Sequence, residues 1–557
     1  MLGIVALLGS LLASDAPADV GPTDEGPTDE GPNIVYIIAD DQSWTDFGFM
    51  GNSRVHTPNL DRLAEQSLRF PNGYLTTSVC RPSLVTLMTG LYPHQHQVYF
   101  NHGPPGNSGY NRMTSREEYE KAREKEFERI RKVDTLPRTL STELGYRCLQ
   151  TGKFWEGHWR NGGFTEGMTT FEPPAEDQVF GGVRKLANGE RVAHGNGDAG
   201  LLIGRETMEP IKNFVKVCED EGTPWMVWYA PYLPHQPHDS PEQFYDIAES
   251  TPGIEPHEIP YFASIAQFDE TVGELVRFVE ENADTANTIF VFVSDNGWSP
   301  STRPQKGREQ EFAHTRTSKR APFDEGVRSP ILLRWDGTIE PGERTELVSS
   351  IDIVPTLLHL AGADPEGLPG IDLTDPLDAE RAVFGAIYPG DASRLGEPER
   401  DVAYRWVRQG DYKLIVPQGD NAWGGYLEKP ALFNVVVDPG ETRDLIGDNR
   451  EKERADELGN LLDDWWDPTR VFARRAAQNI ASVCNAAAAA ELFFVARAEG
   501  NLDRTVDLIV KGAEVDDEDN PFDGVWFGNP QYKGRDLVET KKFLRVESGT
   551  LMYRPGR

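Results

Sequence analysis

Long apolar runs that end abruptly on acidic or polar residues organise this chain. Asn33-Ile34-Val35-Tyr36-Ile37-Ile38-Ala39 stops at Asp40-Asp41. Trp225-Met226-Val227-Trp228-Tyr229-Ala230 leads to Pro234-His235, and Thr288-Ile289-Phe290-Val291-Phe292-Val293-Ser294 leads to Asp295-Asn296-Gly297. Runs without polar alternation suit strands covered on both faces, as in a parallel sheet. Between them, Phe262, Ile265, Phe268, Val272, Leu275, Val276 and Val279 are spaced for one apolar helix face. The pattern predicts an α/β fold, a large mixed and mainly parallel sheet flanked by helices. Its functional site should lie along the C-terminal edge of the strands.

From about Pro365 the texture changes. Short strand-like runs at 383–388, 403–407 and 412–416 are separated by Gly, Pro and Asp, and a helical pattern follows from Lys452 to Trp466. We therefore expect a main domain over 33–364 and a smaller antiparallel sheet with a packed helix over 365–470. Thr114 to Lys132 is dense in charge, with Ser115 and Glu118 at capping-box spacing, and reads as a solvated helix in an insertion or as a lid. In 471–557, the stretch from Glu491 to Ala513 looks like a single ankyrin-type unit, so a helical extension is expected there.

The first residues, Met1 to Ala13, form an apolar run of signal-peptide length, too short to span a bilayer. Residues 1–14 read as a signal peptide, and 15–32, with Gly-Pro-Thr-Asp-Glu repeated at 21 and 26, as an acidic linker. The expectation is a secreted or periplasmic protein without an integral membrane segment. A formal charge of −34 across 557 residues argues against a nucleic-acid partner. Four cysteines (Cys80, Cys148, Cys218, Cys484) are too few for a disulfide scaffold and show no zinc spacing.

Asp40 and Asp41 would repel one another unless a cation sits between them. With Asp295 and Asn296 they make an oxygen-only set suited to a hard ion such as calcium or magnesium. Cys80 stands before an apolar, helical segment, where free amides favour bound anions, and Arg81 adds a positive charge.

The segment Cys80-Arg81-Pro82-Ser83-Leu84-Val85-Thr86-Leu87-Met88-Thr89-Gly90 resembles the activation motif of the type I sulfatases, members of the alkaline-phosphatase-like superfamily. The resemblance covers roughly residues 33 to 466. It implies that Cys80 is oxidised to formylglycine by a formylglycine-generating or sulfatase-maturating enzyme. It also implies that Asp40, Asp41, Asp295, Asn296 and the modified Cys80 hold a divalent cation, usually Ca2+. Lys153 in Gly152-Lys153-Phe154-Trp155, His235 in Pro234-His235-Gln236-Pro237, and Lys319 ahead of Glu325-Gly326-Val327-Arg328 match the family's sulfate contacts.

Two positions depart from the pattern. Leu84 replaces an arginine, for which Arg81 is the candidate substitute. Trp155 stands where the family has the histidine that serves as base, with His158 the nearest replacement. His94, His96 and His102 follow the activation segment and are candidates for the pocket lining. The implied activity is hydrolysis of a sulfated carbohydrate or a small sulfate ester. The alternatives are a phosphatase or phosphonate monoester hydrolase of the same superfamily, and a non-catalytic sulfoglycan-binding protein.

Overall fold

The three apolar runs form adjacent strands at the centre of one sheet. The computed structural model describes residues 31–471 apart from 176–180, 306–307, 389 and 423–425, together with 474–475 and strands at 493–497, 507–511, 544–547 and 550–553. The first acidic repeats and the proposed signal peptide lie outside the described residues.

The central sheet has eight strands, in chain order β1 (Asn33–Ala39), β2 (Leu68–Phe70), β3 (Arg147–Gly152), β4 (Glu166–Gly167), β5 (Trp225–Ala230), β6 (Thr288–Ser294), β7 (Ile331–Trp335) and β8 (Gly342–Glu343). In space they run β8-β2-β7-β6-β1-β5-β3-β4. The contiguous set β6, β1, β5, β3 and β4 is parallel, while β7 is antiparallel to both its neighbours. Every residue of β1, β5 and β6 is buried, which is why these runs show no polar alternation.

Helices cover both faces. Helix Ile259–Asn282 buries Phe262, Ile265, Phe268, Val272, Leu275, Val276 and Val279, the residues spaced for one face. Helix Cys80–Thr89 is buried along its whole length, as a helix apolar on most sides must be. It ends at Gly90, whose φ of 68° allows its amide to bond Thr86 O. The C-terminal region contributes a four-stranded antiparallel sheet, β9 (Ala382–Ile387), β10 (Tyr404–Gln409), β11 (Tyr412–Pro417) and β12 (Ala431–Asn434), with helix Lys452–Trp465 against it. Leu458 and Leu462 of that helix pack with Val407, Leu414 and Leu432.

Two expectations are corrected. Helix Arg116–Phe127 is capped by Ser115, which accepts from the Glu118 amide at 3.2 Å, but it is not simply solvated. Tyr119, Arg123, Glu126 and Phe127 are buried, and of the two charged ones Glu126 meets Arg81 at 2.5 Å inside the protein. In the C-terminal region, the described parts of the ankyrin-like unit are strands: Phe493–Arg497 pairs antiparallel with Asp507–Lys511, which pairs with Thr550–Tyr553. Phe-Phe-Val and Leu-Ile-Val are β-branched and aromatic runs that favour a pleated surface over a helical hairpin.

Candidate active site

Four neighbouring parallel strands end at one edge, and each delivers chemistry there. β6 supplies Asp295 and Asn296, β1 supplies Asp40 and Asp41, the segment after β5 supplies His235, and Lys153 follows β3 directly. Backbone bonds fix this edge: the Asp295 amide donates to Ala39 O at 2.8 Å, Asp40 to Leu233 O at 2.9 Å, and Lys153 to Ala230 O at 2.6 Å. Gly152 permits the last turn. Its φ is +74°, and a Cβ there would stand 1.9 Å from Ala230 O, so no side chain fits.

Asp41 adopts φ 66°, unusual for a residue with a side chain. It is held there by its amide, which donates to Asp295 Oδ1 at 3.0 Å, and by Asn296 Nδ2, which donates to Asp41 Oδ1 at 2.6 Å. Lys319 Nζ donates to both Asp41 oxygens at 2.6 and 2.7 Å. Lys153 Nζ lies 2.5 Å from Asp40 Oδ1 and 3.7 Å from Asp295 Oδ2. Cys80, first residue of its helix, joins them: one ligand atom from each of Asp40, Asp41, Cys80 and His235 falls within 4.8 Å of the others.

Burial pushes Asp40 and Asp295 above the usual carboxylate range despite Lys153. Burial acts on Asp41 too, but Lys319, His235 and Lys153 outweigh it and hold it low. The Cys80 thiol is pushed up to about 11 by burial, only partly offset by the two lysines. His235 Nδ1 faces Gln236 O at 2.5 Å, and its Nε2 is 3.4 Å from Asp41 Oδ2. The carbonyl can only accept, so it fixes the proton on Nδ1 and leaves Nε2 an acceptor. Burial holds this ring well below its ordinary pKa.

The oxygen set fits a hard cation. Asp40 Oδ2, Asp295 Oδ2 and Asn296 Oδ1 are buried acceptors without a hydrogen-bond partner. Three orphaned acceptors at one strand edge are what an ion such as calcium or magnesium satisfies.

Arg81 and His158 sit elsewhere. The Arg81 guanidinium is fully buried between Glu156, at 2.7 and 2.8 Å, and Glu126, at 2.5 Å, over the Phe100 ring. Those contacts occupy it, so the geometry does not support direct sulfate binding by Arg81. His158 caps the short helix Trp159–Gly162: its Nδ1 accepts from the Arg160 amide at 3.2 Å, and its Nε2 is 3.3 Å from Arg160 Nη1. Both ring nitrogens of this surface cap face Arg160, an arrangement that does not favour the role of base. Leu84 and Trp155, the two departures, lie in the same apolar cluster.

His94 stacks on Trp466 at 4.6 Å. His96 bonds Thr86 Oγ1 at 3.2 Å and the Val98 amide at 3.1 Å. Both are structural. His102 packs edge-on against Trp155 at 5.5 Å. Glu126 and Glu156 were not anticipated; Glu126 lies in the charged insertion, where a sequence offers no signal for burial.

Comparison with known proteins settles the family. The sulfatase family model matches residues 32–363, and the model of the N-sulphoglucosamine sulphohydrolase C-terminal region matches 313–466. The chain belongs to the sulfatase family. It is 28% identical over 462 residues to bovine arylsulfatase A, covering 74% of this chain and 83% of that one. To the N-acetylgalactosamine-6-O-sulfatase of Bacteroides thetaiotaomicron it is 25% identical over 503 residues, covering 77% and 92%. A structure solved in complex with its substrate D-glucosamine-2-N,6-O-disulfate superposes with a TM-score of 0.55 at 17% identity, over 79% of this chain and 98% of the other. That last likeness is one of fold. This sulfatase is thus an enzyme, a sulfuric ester hydrolase.

Proposed function

We propose that the protein releases sulfate from sulfated carbohydrates, using formylglycine made from Cys80 and a calcium or magnesium ion. Asp40, Asp41, Asp295 and Asn296 would hold the ion with the modified Cys80. The convergence of Cys80 with Asp40, Asp41 and His235 within 4.8 Å carries this reading. The carbohydrate substrate is supported by the relatives named for N-acetylgalactosamine sulfate esters. Formylglycine would supply the attacking hydroxyl, and the cation would polarise the ester oxygens.

The chain's own residues do the rest. Lys153 and Lys319 bring two ammonium groups to the oxygens of the sulfate ester, where they offset its negative charge through the transition state. Lys319 carries a proton at Nζ and is the donor to the departing alcohol. His235, with Nδ1–H turned to Gln236 O, presents Nε2 as an acceptor that orients the group beside Asp41. Export, to the periplasm or beyond, is supported by the apolar N-terminal run. No described helix is long and apolar enough to cross a membrane.

The test has two parts. Free sulfate should appear from sulfated sugars and nitrophenyl sulfate, with nitrophenyl phosphate turned over far more slowly. The peptide containing residue 80, from protein made in a host with a maturating enzyme, should be about 18 Da lighter than the thiol form. An unmodified thiol in active enzyme would rule out formylglycine.

A further inference from the structure

Next to the nucleophile segment lies a second group of cations that sulfate-ester cleavage does not employ. Arg184, from the short strand Val183–Lys185, is only 3% exposed and has no carboxylate partner among the described residues. Its Nη1 donates to Asn107 O at 3.0 Å and to Asn111 Oδ1 at 2.5 Å. Its Nη2 donates to Asn107 Oδ1 at 2.8 Å and lies 3.4 Å from His194 Nε2. Arg184 Nε is buried with no hydrogen-bond partner.

Arg123, from the insertion helix, is fully buried, and both guanidiniums lie 5.6 Å from the Tyr110 ring centre. The Arg123 carboxylate neighbour, Glu126, is 3.7 Å away and already bound by Arg81 at 2.5 Å. Arg123 Nε and Nη1 are also without hydrogen-bond partners, as are His194 Nδ1 and Trp155 Nε1, while His102, whose Nδ1–H faces Asp391, keeps an acceptor at Nε2. The His102, Trp155 and His194 rings form a triangle with centroids 5.5 to 5.6 Å apart.

Glu126 faces Arg123, but the other acids nearby do not pair with Arg184. Asp391 is half exposed and engaged by His102 Nδ1 at 3.2 Å and the Asn107 amide at 3.0 Å. Asp198 accepts from the Gly195 amide at 3.1 Å, and burial raises it to about 7. Arg184 as a buried cation without a counter-charge is costly, and unpaired buried donors are rare enough to require a reason. A bound anion meets both demands.

The group adjoins the reaction centre on two sides. Trp155 stands two residues after Lys153, and the Phe154 amide donates to Asn196 O at 3.1 Å. Arg320, next to Lys319, is exposed at φ 67°, and its Cζ would be 3.4 Å from a Cβ at Gly390, the residue before Asp391.

We infer that Arg184, Arg123, His194 and Trp155 form a second anion subsite, which takes a carboxylate or further sulfate on the same substrate molecule. This deepens the sulfatase reading and rests on it: the substrate is a sulfate ester with at least one more oxyanion group.

The test compares wild type with Arg184→Gln on four probes. These are nitrophenyl sulfate, N-acetylgalactosamine 6-sulfate, glucosamine 2-N,6-O-disulfate and a sulfated disaccharide containing a uronate. Affinity is measured by calorimetry in the Cys80→Ala background, and turnover in the active enzyme. We expect Arg184→Gln to weaken binding of at least one doubly anionic probe about tenfold or more. Nitrophenyl sulfate should be unchanged, and Arg184→Lys should restore part of the loss. The disulfate and the uronate probe separate the two kinds of anion.

His194→Gln gives an independent variant if Arg184→Gln does not fold. Equal affinity of wild type and both variants for every doubly anionic probe overturns the subsite. Absence of turnover on all four, with Arg184-dependent binding retained, overturns the hydrolytic reading and leaves the subsite standing.

Discussion

Lys319 Nζ sits 2.6 and 2.7 Å from the two oxygens of Asp41, although 278 residues separate them along the chain. The same carboxylate accepts from Asn296 and faces His235, so Asp41 joins the proposed ion ligands to the proposed substrate contacts. Removing the Lys319 ammonium takes away a positive charge and the proton donor together. Lys319→Ala should lower kcat on nitrophenyl sulfate by about a thousandfold, measured by steady-state kinetics alongside a circular dichroism check of folding. A loss under tenfold would remove Lys319 from the chemistry.

The orphaned oxygens of Asp40, Asp295 and Asn296 predict a response to calcium. At a hundredfold excess over Kd, a bound ion contributes about 2.7 kcal/mol to stability. Thermal melts should therefore shift upward with calcium and downward with chelator. Asp295→Asn should reduce the calcium response, and an identical response in that variant would exclude Asp295 as a ligand.

Arg81 is buried between two carboxylates, and breaking such a set leaves charge without a partner. Glu156→Gln should destabilise the protein by about 3 kcal/mol, read from chemical denaturation. The neutral outcome would mean that Glu126 alone satisfies Arg81.

Asp46 gives a pH dependence through a group that is not one of the proposed ligands, although Tyr261 joins it to the Asp41 carbonyl. Burial raises it to about 7 against the pull of Tyr261, whose hydroxyl donates to Oδ2 at 2.9 Å, and of Thr45. The unfolded chain releases this proton near pH 4 and the folded protein near 7, so stability declines as pH rises across that window and is level above it. Asp46→Asn should match wild type in Tm near pH 4 and exceed it at pH 8. A constant difference across the range would show that Asp46 does not titrate there.

His158 caps a surface helix. His158→Ala should leave kcat within about twofold of wild type and lower Tm slightly, as loss of a helix cap does. Trapped sulfated enzyme in this variant would reinstate His158 as the base.

Much of the fold was legible because burial on both faces leaves a direct mark on composition. The runs before Asp40, His235 and Asp295 are apolar throughout since helices cover both sides of the sheet. The helix with Phe262 and Val279 shows its face by spacing alone. Less legible were the residues whose meaning depends on a distant partner. Arg123 and Glu126 lie in a segment so charged that solvent exposure was the natural reading, yet both are buried against Arg81 and Tyr110. His158 was chosen for closeness in sequence, but the turn at Gly157, with φ 74°, and the bond from the Arg160 amide place it on the surface. At 493–497 and 507–511 a repeat-like pattern masks the β-branched and aromatic content that makes these segments strands.

The sequence by itself determined the family, the apolar strands with their polar endings, and the motifs that single out Cys80, Lys153, His235 and Lys319 as candidates. Those are carried by local motifs and by burial periodicity, which need no partner to be read. Only the tertiary structure decided that Arg81 belongs to Glu126 and Glu156, and that Arg184 lies buried beside His194 without a carboxylate among the described residues. Charge pairing falls off within a few ångströms, so which acid meets which base is set by how the elements pack, and no spacing along the chain encodes it.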